Sequence, residues 1–202
     1  MAENLIFEKI MADCQEKKII SCCKKLIKKS RLTSGETAQN LCHLAYWLYV
    51  YGYINDALEV CEFSHLDIPK PFAVNYNIWD FVLYVWGLEA YIHRKQGDEQ
   101  KCQEIIEKMK TVWLLPNGCL DTADKQEKSF KRICQDMTFE FVINKNKIDR
   151  CITEGDKRGQ KAYSFTALFG MIAYGVTGIY PQLENHKEEL EIKIEEYINL
   201  LR

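Results

Sequence analysis

Apolar residues recur along this chain at helical rather than strand spacing. Between residues 4 and 30, Leu5, Ile6, Ile10, Ile19, Ile20, Cys23, Leu26 and Ile27 follow that period, with a break near Asp13. "RLTSGET" (31–37) supplies a stop and a restart. Thr33 or Ser34 can cap a new helix there, with Glu36 or Thr37 in its first turn. That helix is predicted to run to about Val50. Gly52 marks a turn, and the next helix covers about 54–66. "DIPKP" (67–71) ends it, because proline has no N–H to donate and disfavours helical angles in the residue before it. An apolar helix from about Ala73 to Gln96, a turn at Gly97-Asp98 and an amphipathic helix over 98–113 follow.

"LPNG" (115–118) predicts a further turn. Beyond it Phe130, Ile133, Cys134, Met137, Phe141, Ile148, Cys151 and Ile152 keep to one helical face, as one long helix or two with a break near Asn144–Asn146. The uncharged run at 162–180 approaches the length of a membrane span. Its three glycines, two threonines and serine, and the amphipathic segment behind it, favour a buried core helix instead. The last helix carries Leu183, Leu190, Ile194, Tyr197, Ile198 and Leu201 on one stripe. No segment sustains two-residue alternation. The expected fold is therefore all-α: stacked antiparallel helical hairpins, about eight helices in a single domain over 1–202.

Composition adjusts this picture little. Of 202 residues, 47% are hydrophobic and 12% aromatic, enough for a real core, and 28% charged residues fit a soluble chain rather than a disordered one. A formal charge of −2 gives no global attraction for nucleic acid or anionic lipid. Nine cysteines, none spaced as C-x-x-C, read as reduced thiols used as small apolar residues in a cytoplasmic protein. Glu3, Glu8 and Asp13 interrupt the N-terminal apolar residues, which is unlike a signal peptide.

Two stretches invite comparison. LCHLAYWLYVYGYINDALEVCEFSHLDIP (41–69) and WGLEAYIHRKQGDEQKCQEIIEKMKTVWLLP (86–116) each hold a helix, a glycine turn, a second helix and a closing proline. Ala45 and Ala90 precede the glycine, and Ala57 and Cys102 follow it, so both hairpins have small side chains where their helices cross. The first stretch resembles a tetratricopeptide repeat. Leu41, Leu44, Ala45, Leu48, Gly52, Ile54, Ala57, Cys61, Ser64 and Pro69 fall where that family places its large, small, glycine and proline residues. The second is similar at Trp86, Ala90, Gly97, Cys102, Ile106 and Met109, and departs at Glu89, His93 and Glu99. Gly178, Tyr180 and Leu183 are a third, fainter echo. The glycines lie 45 residues apart, against the family's usual period of about 34.

That resemblance implies a peptide- or protein-binding face lined by the first helix of each hairpin. Carried onto this sequence, the partner-binding residues are His43, Tyr46, Tyr49, Tyr84, Tyr91, Arg94 and Lys95, with Gln39, Cys42 and Leu88 beside them. Tyrosine and arginine suit such a role because they bury area at low entropic cost and keep a polar end. The competing reading is that Tyr46, Trp47, Tyr49, Tyr51 and Tyr53 pack between hairpins, since five aromatics in eight residues cannot share one face. Seven positive charges with no acid run from Lys17 to Arg31, either a solvated face or a phosphate-binding arm. The last helix is the reverse, with Glu184, Glu188, Glu189, Glu191, Glu195 and Glu196. The two ends attract each other or serve separate partners.

Catalytic and metal-binding patterns are sparse. His43, His65, His93 and His186 form no ligand motif. Glu89 and His93, one helical turn apart, lack a third ligand and read as a helical pair. No cofactor and no catalytic residue is expected. The sequence is also similar, in size and in its lack of chemistry, to small bacterial immunity proteins that neutralise a toxin by covering it. The expected partner is thus another protein, for instance a toxin domain, with neither nucleic acid nor membrane. The alternative is an α-helical enzyme or small-molecule binder with a pocket near Glu89 and His93.

Overall fold

The computed structural model describes residues 2–28, 34–67, 76–113 and 181–202. These residues form an all-α array with no strand among them. It comprises α1 (Ala2–Asp13), α2 (Lys17–Ile27), α3 (Ser34–Val50), α4 (Ile54–Asp67), α5 (Tyr76–Lys95), α6 (Glu99–Trp113), a 3-10 turn over Pro181–His186, and α7 (Lys187–Leu201). The break expected near Asp13 is the stretch 14–16 between α1 and α2. The expected ends near Val50, Gln96 and 113 lie within a residue of those observed. One difference is at the last helix: its first residues, Leu183 among them, wind as 3-10 before α7 begins. The elements predicted between 115 and 180, and the turns at 67–71 and 115–118, lie outside the described residues apart from Asp67.

Each helix packs on its sequence neighbour from α1 through α6, and α5 also lies against α3. Helix α3 is therefore enclosed by α2, α4 and α5. Every residue from Asn40 to Val50 is buried, and this accounts for the aromatic cluster. Tyr46, Trp47 and Tyr49 have no solvent to face and point into neighbouring helices, while Tyr51 and Tyr53 sit half-buried beyond the helix end. Leu41, Leu44 and Leu48 each stabilise the fold by about 2 kcal/mol through burial alone. At the outer edge α1 meets α4, with Phe7 and Phe63 edge to face at 5.4 Å and Lys9 Nζ 2.9 Å from Glu59 and 3.4 Å from Asp56.

The two glycine turns are built alike. Gly52 N–H donates to the Tyr49 carbonyl (3.0 Å) and Tyr53 N–H to that of Leu48 (2.9 Å). Forty-five residues on, Gly97 N–H donates to Arg94 (3.0 Å) and Asp98 N–H to His93 (2.9 Å). Both are Schellman closures, in which the two residues after the helix satisfy its last free carbonyls. They need a left-handed residue, and Gly52 (φ +86°) and Gly97 (φ +81°) supply it. The next helix starts at once. Tyr53 and Asp98 carbonyls accept from Ala57 and Cys102, and Asp98 Oδ1 also caps Lys101 N–H at 3.0 Å. Ala45, Ala57 and Ala90 are fully buried and Cys102 nearly so, which places small side chains inside both hairpins.

Candidate functional site

The seven residues expected to bind a partner come from α3 and α5, the first helices of the two hairpins, which lie side by side. Tyr46 is fully buried, and its hydroxyl donates to the Tyr84 backbone carbonyl at 2.7 Å, joining the two helices. Tyr49 and Tyr91 meet edge to face at 5.9 Å, the first 8% exposed and the second not at all. His43 is buried edge-on against Phe81, with ring centres 6.1 Å apart. Only Tyr84, Arg94 and Lys95 keep appreciable exposure. Helix burial thus turns His43, Tyr46, Tyr49 and Tyr91 inward, where they hold α3 to α5.

Electrostatics follows from this burial. It pushes the Tyr46 and Tyr91 hydroxyls well above their ordinary value, and that of Tyr49 up to about 12, with Glu195 nearby adding to the last shift. His43 is pushed down to about 4, first by burial and then by the charge of Lys25. The thiols behave similarly: burial raises Cys22 to about 11 and Cys23 to about 12, and raises Cys61 and Cys102 as well. These four are protonated at neutral pH and serve as packing groups rather than nucleophiles. All six described cysteines are free and buried.

The exposed end of this face is covered by the chain itself. Arg94 Nε lies 3.2 Å from Glu191 Oε1, with Glu99 at 3.6 Å, and Lys95 Nζ lies 3.7 Å from Glu195. Arg202 Nε donates to the Val50 carbonyl at 2.6 Å, at the end of α3. Leu190, Ile194 and Ile198, at four-residue intervals, are the buried stripe of α7. Helix α7 therefore crosses the C-terminal ends of α5 and α3. Sequence spacing gives no sign of this closure. The only signal was chemical: two adjacent cations at the end of one helix, and two glutamates four residues apart on another.

Glu89 and His93 do not act as the pair that their spacing suggests. Glu89 is 2% exposed in the interior of α5, near Cys61, whose thiol it helps to raise. The His93 ring instead faces Asp98 across the Gly97 turn, at 3.6 Å. Among the described residues no three or more His, Cys, Asp or Glu side chains group as metal ligands. No helix among them is long and apolar enough to cross a membrane, and the run at 162–180 lies outside them. No curated protein and no solved structure matches the chain. One family does, along residues 2–202, and on that evidence the chain belongs to the Family of unknown function (DUF6707).

Proposed function

We propose that this protein is a non-enzymatic helical-hairpin scaffold that binds another protein, and more narrowly an immunity protein that neutralises a cognate toxin by direct contact. The observation that carries the reading is the repetition of one corner. α3–α4 and α5–α6 close with the same pair of backbone hydrogen bonds at a left-handed glycine, and their first helices stack. Such repetition supports a likeness to tetratricopeptide arrays, whose units need neighbours to bury their second faces and whose outer surfaces recognise protein segments. The protonated, buried thiols agree with it, since they offer no activated nucleophile. The partner meets the outside of the stack, because α3 and α5 spend their aromatic side chains on each other.

The test is co-expression with the toxin-like protein encoded beside its gene, scored by growth and by a complex on size-exclusion chromatography. Rescue with a stoichiometric complex is the expected result. Absence of both removes the reading.

A further inference from the structure

The basic side chains described outside α2 are engaged. Lys9, Arg94, Lys95, Lys101 and Lys193 are in ion pairs, and Lys108 lies over the Trp86 ring at 5.1 Å. Helix α2 differs. Lys17, Lys24 and Lys25, with Lys28 at its C-terminal cap, are exposed and form no ion pair among the described residues; only Lys18 is spent, over the Trp47 ring at 3.9 Å. The acidic α7 shows the opposite: Glu191 and Glu195 are matched to α5, Glu189 to His186 and Glu196 to Lys193. Among the described residues, the acid at one end of the chain is largely neutralised and the base at the other is not.

At about 100° per residue, Lys17, Ser21, Lys24 and Lys28 fall within about 60° of one another, a cationic stripe about 16 Å long. It lies opposite Ile19 and Leu26, which are buried in the core. Helix stability accounts for only part of it. Lys24, Lys25 and Lys28 stand at the negative end of the helix dipole, where cations are favourable, but Lys24 and Lys28 are like charges one turn apart, and Lys17 stands at the positive end, where a cation is unfavourable. The seven charges from Lys17 to Arg31 contain no acid, and the rest of the chain carries 20 basic and 29 acidic residues, a formal −9. Charge is segregated into this one segment of the sequence.

We infer that the cationic face of α2 is a docking surface for an acidic protein surface. The inference rests on the protein-binding reading above and gives it a place and a partner chemistry. An anionic membrane fits less well, because the apolar face of α2 that would insert is already buried. A nucleic acid fits less well too: among the described residues the stripe offers lysines with no exposed aromatic ring for a base, and the remaining −9 repels a polyanion. A compact carboxylate patch fits a stripe of this length without meeting the rest of the molecule.

The experiment uses the full chain, with a fluorescein-labelled poly-L-glutamate peptide of about 20 residues and a DNA duplex of similar charge as probes, at about 50 and about 300 mM NaCl. Wild type is expected to bind poly-L-glutamate more tightly than DNA, and to weaken at least tenfold at the higher salt. Lys17→Glu with Lys24→Glu and Lys28→Glu should lower that affinity at least tenfold, while Lys101→Glu on α6 leaves it unchanged. The matching Lys→Gln triple removes attraction without adding repulsion and should lie between, with unchanged circular dichroism. Equal binding by wild type and the Glu triple, or tighter binding to DNA, overturns the inference. So does a dimer that the triple abolishes, since the occupant is then a second copy. In the toxin-rescue assay, wild-type rescue lost in the triple supports both levels. Rescue by both proteins overturns the α2 surface alone, and rescue by neither removes the protein-binding reading and the inference with it.

Discussion

Replacing Gly52 or Gly97 with alanine isolates the backbone requirement on which the hairpins depend. An added Cβ would meet nothing within 4 Å at either position, so crowding contributes nothing. What remains is the dihedral angle. An L-residue held at φ near +86° or +81° loses about 1–2 kcal/mol. Alanine also narrows the unfolded ensemble, which offsets about 0.4–1 kcal/mol of that. The net expectation is a destabilisation of about 1 kcal/mol at each glycine. Asparagine tolerates the left-handed region and should cost about half as much, and valine, branched at Cβ, distinctly more.

Equilibrium urea unfolding followed by far-UV circular dichroism reads this directly. With a slope of about 2–3 kcal/mol per molar urea, each alanine variant shifts the midpoint down by about 0.3–0.5 M at constant slope. The order Gly, Asn, Ala, Val in falling stability is the signature of a dihedral cost. An alanine variant as stable as wild type would mean that the corner is not left-handed in solution. A loss of several kcal/mol at unchanged slope would mean that something packs against the glycine after all. Either result refutes the reasoning, and the two positions test it independently.

Three further outcomes follow from the same structure. Tyr46→Phe deletes the hydroxyl that bridges α3 to the Tyr84 carbonyl and should cost about 1 kcal/mol in the same urea assay, leaving the far-UV spectrum unchanged. Arg94→Glu should loosen α7, seen as faster hydrogen exchange over 187–201, with Glu191→Arg restoring part of the loss; the coupling should be about 0.5–1 kcal/mol, since both groups are partly exposed. His43 is neutral when folded, with a value of about 4 against 6.5 unfolded, so the unfolded chain binds the extra proton between them. Stability should fall as pH drops through that window, by on the order of 3 kcal/mol, and His43→Leu should flatten this component of the urea midpoint's pH dependence.

Local features of the fold were legible in the sequence because local physics sets them. Gly52 and Gly97 mark left-handed closures because each stands where one apolar period ends and the next begins, and the break near Asp13 needs only the lapse of the helical period. Depth was not legible in the same way. A helical wheel assigns one buried face to α3, whereas three neighbouring helices bury every side of it from Asn40 to Val50, and so Tyr46, Tyr49 and Tyr91, which suit a binding groove by type, are consumed in joining α3 to α5. Chain separation hid the closure of that face, because Arg94 and Glu191 are 97 residues apart and no spacing rule connects them.

The fate of the charges makes the same point from the surface. The sequence left two readings of its basic and acidic ends open, mutual attraction or separate partners. Among the described residues α7 turns Glu191 and Glu195 toward α5 and not toward α2. Once those carboxylates are taken, the exposed lysines of α2 have no counterpart in the described fold. An exposed ion pair holds little energy, about 1 kcal/mol or less, so the pairing matters less for stability than for what it leaves unmatched. Long-range charge that is unmatched among the described residues acts on encounter and orientation, which is the role proposed above for the lysines of α2.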